Sequence, residues 1–171
     1  MLTHIRVKNF KSLKDVTLEL GQRNVLVGAN MAGKSNVIDL FKFIQQMTFP
    51  AAGTWALPNA VSMRGGFGEV LWKGGNEQVI LIALSGTKAE NGMEWPWKYE
   101  ISIQGDVRGN FRVAQEKLQV RRRKVPEFDD LIETIGLDRW FCNVNSGRLS
   151  SMNDPTRSML EFEIPDWHGN F

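Results

Sequence analysis

One cysteine, Cys142, and two histidines, His4 and His168, are all that 171 residues offer in thiol and imidazole chemistry. A single cysteine excludes an intrachain disulfide framework and leaves too few thiolates for a structural zinc site. The histidines are far apart and lack ligand-spaced partners, so neither a metal site nor a Ser/His/Asp triad can be built from them. Long apolar runs are missing as well. The longest candidate, Val79 to Leu84, is strand-length, against roughly 18 residues for a membrane span. The N-terminus, MLTHIRVKNFKS, alternates apolar and charged residues and carries no apolar core of a secretory signal. With 42% hydrophobic and 23% charged residues the chain can bury a core. A cytoplasmic globular domain is the class that remains.

Net charge is only +2, but it is unevenly distributed: +4 over 1–48, −1 over 49–104, +5 over 105–124 and −6 over 125–171. The second basic stretch ends in Arg121, Arg122, Arg123 and Lys124, which could contact nucleic-acid phosphates. A solvated strand edge, where such residues discourage edge-to-edge pairing, is the favoured reading of that run.

Period-two alternation marks a strand over residues 2–9, and Asn9-Phe10-Lys11-Ser12 turns the chain into a second strand carrying Val16, Leu18 and Leu20. Asn24-Val25-Leu26-Val27 has the composition of a short buried strand. From Asn36 to Met47, Val37, Leu40, Phe41 and Ile44 recur at helical spacing, and Phe49-Pro50 ends that helix. Residues 50–68 suggest a long loop or short helical pieces. Four strands are expected next, over 69–73, 78–85, 97–104 and 110–120, and their short turns favour antiparallel pairing. Pro126 and Gly136 bracket an expected helix over 127–135, and Met159–Ile164 is a possible further strand.

The chemistry is concentrated in Gly28-Ala29-Asn30-Met31-Ala32-Gly33-Lys34-Ser35, which matches G-x-x-x-x-G-K-[ST] between an apolar segment and an amphipathic helix. The glycines permit a tight loop whose N–H groups can cradle anionic oxygen, and the helix that follows adds the positive end of its dipole. Lys34 would reach the β- and γ-phosphates and the Ser35 hydroxyl would ligate Mg²⁺.

GANMAGKSN at 28–36, preceded by HIRVKNFKSLKDVTLEL, resembles the opening of RecF/SMC/OLD-type ABC-like ATPases. Asn9, Phe10, Lys11, Ser12, Asn30 and Asn36 match that pattern, while Met31 stands where the family usually has glycine. The resemblance implies an α/β P-loop NTPase lobe with a mixed sheet, a phosphate-loop helix and an antiparallel β-subdomain. It implies ATP and Mg²⁺ as cofactors, Gly28 to Asn36 as the nucleotide site, a second ATPase head as partner, and DNA or an effector protein as the object of the work. Met63-Arg64-Gly65-Gly66-Phe67 is similar to an arginine-bearing loop of the family. Arg64 is therefore either an accessory group near nucleotide or DNA, or an exposed loop arginine.

Hydrolysis in that family requires a buried strand ending in an acidic pair and an L-S-G-G-E-type signature; neither stands in this chain. Leu84-Ser85-Gly86-Thr87 mimics the first letters of the signature and is read as a hairpin turn. The chain is expected to be one ATPase lobe over 1–171, cut short within 122–171, that binds ATP with little or no turnover. The alternative is a nucleic-acid-binding or scaffold module that keeps the fold without productive nucleotide use. A small-molecule kinase fits less well, because antiparallel strands follow the first helix. Trp95, Trp97 and Tyr99 alternate on one strand face, which could stack on bases but favours core packing.

Overall fold

The computed structural model describes residues 1–48, 56–90, 92–106, 108–121, 129–135, 138–143 and 148–152. Eight strands form one sheet in the order β2-β1-β3-β4-β5-β6-β7-β8, and every ladder in it is antiparallel. They are β1 (Leu2–Phe10), β2 (Leu13–Glu19), β3 (Val79–Glu90), β4 (Met93–Gly105), β5 (Phe111–Val120), β6 (Asp129–Ile135), β7 (Asp138–Asn143) and β8 (Arg148–Met152). Three helices lie between β2 and β3: α1 (Lys34–Thr48), α2 (Ala56–Ser62) and α3 (Phe67–Val70). The pairing of β1 with β3 ties the N-terminal hairpin directly to the later meander.

Strand periodicity gives the sheet one apolar face. Ile5, Leu84, Tyr99 and Leu118 stand opposite one another in successive ladders, as do Val7, Ile82 and Ile101; all are buried. Val37, Leu40, Phe43 and Met47 of α1 and Leu57, Ala60 and Val61 of α2 complete the same core. Full burial of such side chains stabilises the fold by about 1.5–3 kcal/mol each. The opposite face carries His4, Arg6, Lys98 and Glu100, all exposed. In β5 the register shifts so that Gln115 faces Ser102 but Val113 faces Ile103. This bulge lets Val113 and Glu116, which differ in parity, both point inward, and the Tyr99 hydroxyl donates to the buried Glu116 carboxylate at 2.8 Å.

Several expectations need correction. The sheet is antiparallel throughout its described ladders, not mixed, and Asn24–Val27 lies outside it. That run belongs to no helix or ladder, with Val25 and Val27 85% and 89% exposed. The stretch 69–73 is not a strand: α3 fills its start, and only Leu71 bridges to Phe10. Leu84–Thr87 is no turn but the middle of β3, which runs on to Glu90. The expected helix over 127–135 is instead strand β6 from Asp129, where Ile132, Thr134 and Ile135 suit a ladder. In α1 the buried stripe is Val37, Leu40, Phe43 and Met47, with Phe41 turned outward. Trp97 and Tyr99 pack in the core as favoured, with Trp95 against its margin. Met159–Ile164 lies outside the described residues.

A Cβ at Gly105 would stand 2.1 Å from the ring of Phe67, itself buried and stacked on Phe111. Phe67 is enclosed, so making room means disturbing its packing. Gly105→Ala is therefore expected to cost about 1–3 kcal/mol, read as a lower urea midpoint with an unchanged m-value. An unshifted midpoint would show that the Phe67–Phe111 stack is not rigid.

Candidate functional site

Gly28 to Gly33 cross from the extended segment into α1, and the helix begins at Lys34. The loop closes on few bonds: the Ala32 N–H donates to the Ala29 carbonyl at 3.3 Å, and the N–H groups of Asn36 and Val37 both donate to the Gly33 carbonyl at 3.0 Å. Two residues take left-handed backbone here, Met31 at φ 65° and Gly33 at φ 90°. Glycine is needed at 33 for a second reason: a Cβ there would stand 3.3 Å from the Ser12 Oγ. Met31 has its side chain fully in solvent and gains no packing to offset its conformation.

The Lys34 ammonium folds back over the loop and donates to the carbonyls of Gly28 and Ala29, both at 2.6 Å. Its two partners are neutral acceptors. The first turn of α1 contains no acidic residue, and the Ser35 hydroxyl lies on that turn in an exposed position. The loop therefore presents a cation, a helix N-terminus and a hydroxyl, with no carboxylate of that turn opposing an incoming anion. These donors fit a nucleotide phosphate, and Ser35 fits Mg²⁺. Among the described residues no group of three or more His, Cys, Asp or Glu could hold a metal ion by itself.

Around this loop stands a second layer that sequence reasoning missed. The β1–β2 turn packs on the start of α1, and the Asn36 side-chain amide donates to Ser12 Oγ at 2.6 Å. The Lys11 ammonium sits 2.6 Å from Asp39 Oδ2, one helical turn beyond Ser35. Arg64 grips the same carboxylate with two donors, Nε to Oδ2 at 3.0 Å and Nη2 to Oδ1 at 2.8 Å. Its Nη1 donates to Gln46 Oε1 and to the Ala60 carbonyl, both at 2.7 Å, and the guanidinium lies over the Phe43 ring.

With only 7% of its side chain exposed, Arg64 is not an exposed loop arginine, which removes one of its two alternatives. Its donors go to α1 and α2, so it braces helices. Asp39 could have been suspected as an acid between the apolar positions Val37 and Leu40 of the loop helix. Of the basic run, Arg121 closes β5, and its backbone N–H donates to the Pro96 carbonyl at 2.9 Å. Arg122, Arg123 and Lys124 lie outside the described residues.

Burial alone would push the Asp39 carboxyl up, but hydrogen bonds from Arg64 and Lys11 outweigh it and hold it below the ordinary carboxylate range. A carboxyl depressed in the folded state contributes stability above its unfolded pKa, about 3.9, and loses it as pH falls through the folded value. Stability in urea should therefore fall from about pH 5 towards pH 2, with a shallower fall in Asp39→Asn. Equal slopes in the two proteins would remove Asp39 from the account of acid sensitivity. Met31→Gly, by releasing a left-handed strain of about 1–2 kcal/mol, should raise the urea midpoint slightly, since the freer unfolded chain takes back part of the gain. A lowered midpoint would show that Met31 is held by more than local backbone.

No described helix is long and apolar enough to cross a membrane. An OLD nuclease from Thermus scotoductus (strain ATCC 700910 / SA-01) is 33% identical over 58 residues, which is 34% of this chain and 11% of that relative's length. A solved structure concerned with ATP-driven dimerization and DNA-stimulated activation of SMC ATPases covers 72% of this chain and 71% of its own, at 18% identity and a TM-score of 0.42. Residues 1–133 match the AAA ATPase domain family. That match spans more than half of the sequence, and this chain belongs to the AAA ATPase domain family.

Proposed function

We propose that residues 28–36 bind ATP with Mg²⁺ and that this chain acts as the nucleotide-binding lobe of a RecF/SMC/OLD-like ATPase. The observation that carries the reading is the Lys34 ammonium, poised over the loop on two carbonyl oxygens. A phosphate can take over those donors without having to displace a carboxylate. Gly28 to Gly33 would wrap the phosphates, Lys34 would neutralise their charge, and Ser35 would supply the protein's oxygen to Mg²⁺, which would offset further phosphate charge.

Hydrolysis also needs an acidic strand and a signature segment, which this sequence does not contain. The reading is therefore binding with little turnover on this chain, the remaining groups coming from another lobe and from a second ATPase head. Exposure of Val25, Leu26 and Val27 beside the phosphate loop supports a completing lobe. Three exposed apolar side chains in a row, outside any ladder, are an unfavourable surface unless another element covers them. Work on DNA or on an effector protein, in the cytoplasm, follows from the resemblance.

Titration of a fluorescent ATP analogue with Mg²⁺ tests the assignment. Lys34→Ala should weaken binding at least tenfold, about 1.4 kcal/mol; unchanged affinity would sink it. Turnover by the unmodified chain should stay well below roughly 1 s⁻¹. A rate above that would mean that a catalytic carboxylate is present after all. Salt-sensitive DNA binding with no nucleotide response would instead favour the nucleic-acid module.

A further inference from the structure

The β1–β2 turn meets the phosphate loop through Ser12 and is fastened to the elements around it at several further points. Phe10 is fully buried, with its ring centroid 5.4 Å from that of Phe43 on α1. Ser12 Oγ accepts from the Asn36 amide and closes against the position where Gly33 has no Cβ. Lys11 has a left-handed backbone, φ 49°, and its N–H donates to the Val70 carbonyl at 2.7 Å. Its ammonium reaches Asp39, which Arg64 holds from the other side. Asn9, also left-handed at φ 58°, donates from its side chain to Glu77 Oε2 and to the Val79 carbonyl. The turn is thus fastened to α1, to α3 and to the start of β3.

We infer that Lys11 and Ser12, anchored through Asp39 and Arg64, are positioning residues that hold the phosphate loop in its cradle form before any ligand arrives. Apart from the Lys34 ammonium on the Gly28 and Ala29 carbonyls, the loop has little of its own to do this with. Residues 21–32 are exposed, and only a few backbone bonds close the loop. Ser12 sets Gly33 and Asn36 from outside, and the Lys11–Asp39 pair keeps Ser12 in place. Asp39 touches no part of the loop, so its effect on a ligand there passes through the turn. The functional meaning of this latch rests on the nucleotide reading above, but the latch can be measured without nucleotide.

Amide exchange in the ligand-free protein reads it directly at Asn36 and Val37, whose N–H groups donate to the Gly33 carbonyl. Lys11→Met, Ser12→Ala and Asp39→Asn should each speed exchange at these two amides at least tenfold, while the β3–β5 ladder keeps its protection. Lys11→Arg should restore it. Unchanged rates at Asn36 and Val37 in Lys11→Met would overturn the proposal; so would uniform acceleration across the ladder, which is what a purely structural contact gives. If Asp39→Asn does not fold, Lys11→Met decides alone, since it removes one ammonium from a partly exposed pair.

Affinity gives a second, opposite-sign test. Removing a negative charge near an anion site should by simple electrostatics tighten ATP binding. The latch requires the reverse, a dissociation constant about tenfold higher in Asp39→Asn, about 1.4 kcal/mol. Tighter or equal binding would refute it. Should the unmodified protein bind no nucleotide, the nucleotide reading fails while the exchange result still decides the latch.

Discussion

One carboxylate, Asp39, accepts two cations brought by different parts of the chain, and the rest of the site is arranged around it. Lys11 arrives from the first hairpin and Arg64 from the turn after α2. A half-buried acid with one cation would be a modest surface pair. With two, and with Arg64 itself nearly enclosed, the group becomes a junction whose loss would leave a guanidinium in the interior short of charge partners. Gln46 and the Ala60 carbonyl take some of its donors, and the Phe43 ring faces its plane. The junction therefore fixes the distance between the sheet, the loop helix and the second helix at one point.

Much of this was legible in the sequence. The first hairpin, the glycine-bounded loop and the helix after it follow from spacing alone, because glycine, alternation and helical periodicity are local signals. The antiparallel meander was legible for the same reason, since short turns leave no length for a crossover. What failed was whatever depended on a distant neighbour. Asn24–Val27 has the composition of a buried strand but no pairing partner among the described residues. The 127–135 stretch has the punctuation of a helix, yet from Asp129 it joins the free edge of β5, where a ladder offers more than helix propensity does. Arg64 stayed between an accessory role and an exposed one because nothing local announces that Asp39, 25 residues earlier, stands beside it.

The two faces of the sheet divide the labour. The inner face carries Ile5, Val7, Ile82, Leu84 and Ile101 in one buried core with α1 and α2, so the loop helix rests on a closely packed apolar face. The outer face carries the charges. A helix seated on a rigid apolar face is a sound base for a binding loop, because the loop inherits its position from many small contacts rather than from its own few bonds. The buried Tyr99–Glu116 pair sits on that inner face and gives the apolar core a polar contact with a defined geometry.

Met31 shows what such a base has to tolerate. An ordinary side chain in left-handed backbone raises the energy of the loop, and its exposure means that no packing repays the strain. Such a conformation persists only where the surroundings determine it from both sides. Here Gly33 and α1 hold it from one side through the Ser12 contact, while Lys34 holds the other by gathering the Gly28 and Ala29 carbonyls. The lysine that would meet the phosphate thus also stabilises the loop before the phosphate arrives. When ligand oxygen takes the ammonium, those two carbonyls lose a donor, and the external clamp at Ser12 must keep the cradle from opening. A loop with methionine at position 31 therefore depends more on its neighbouring hairpin than a loop with glycine there would.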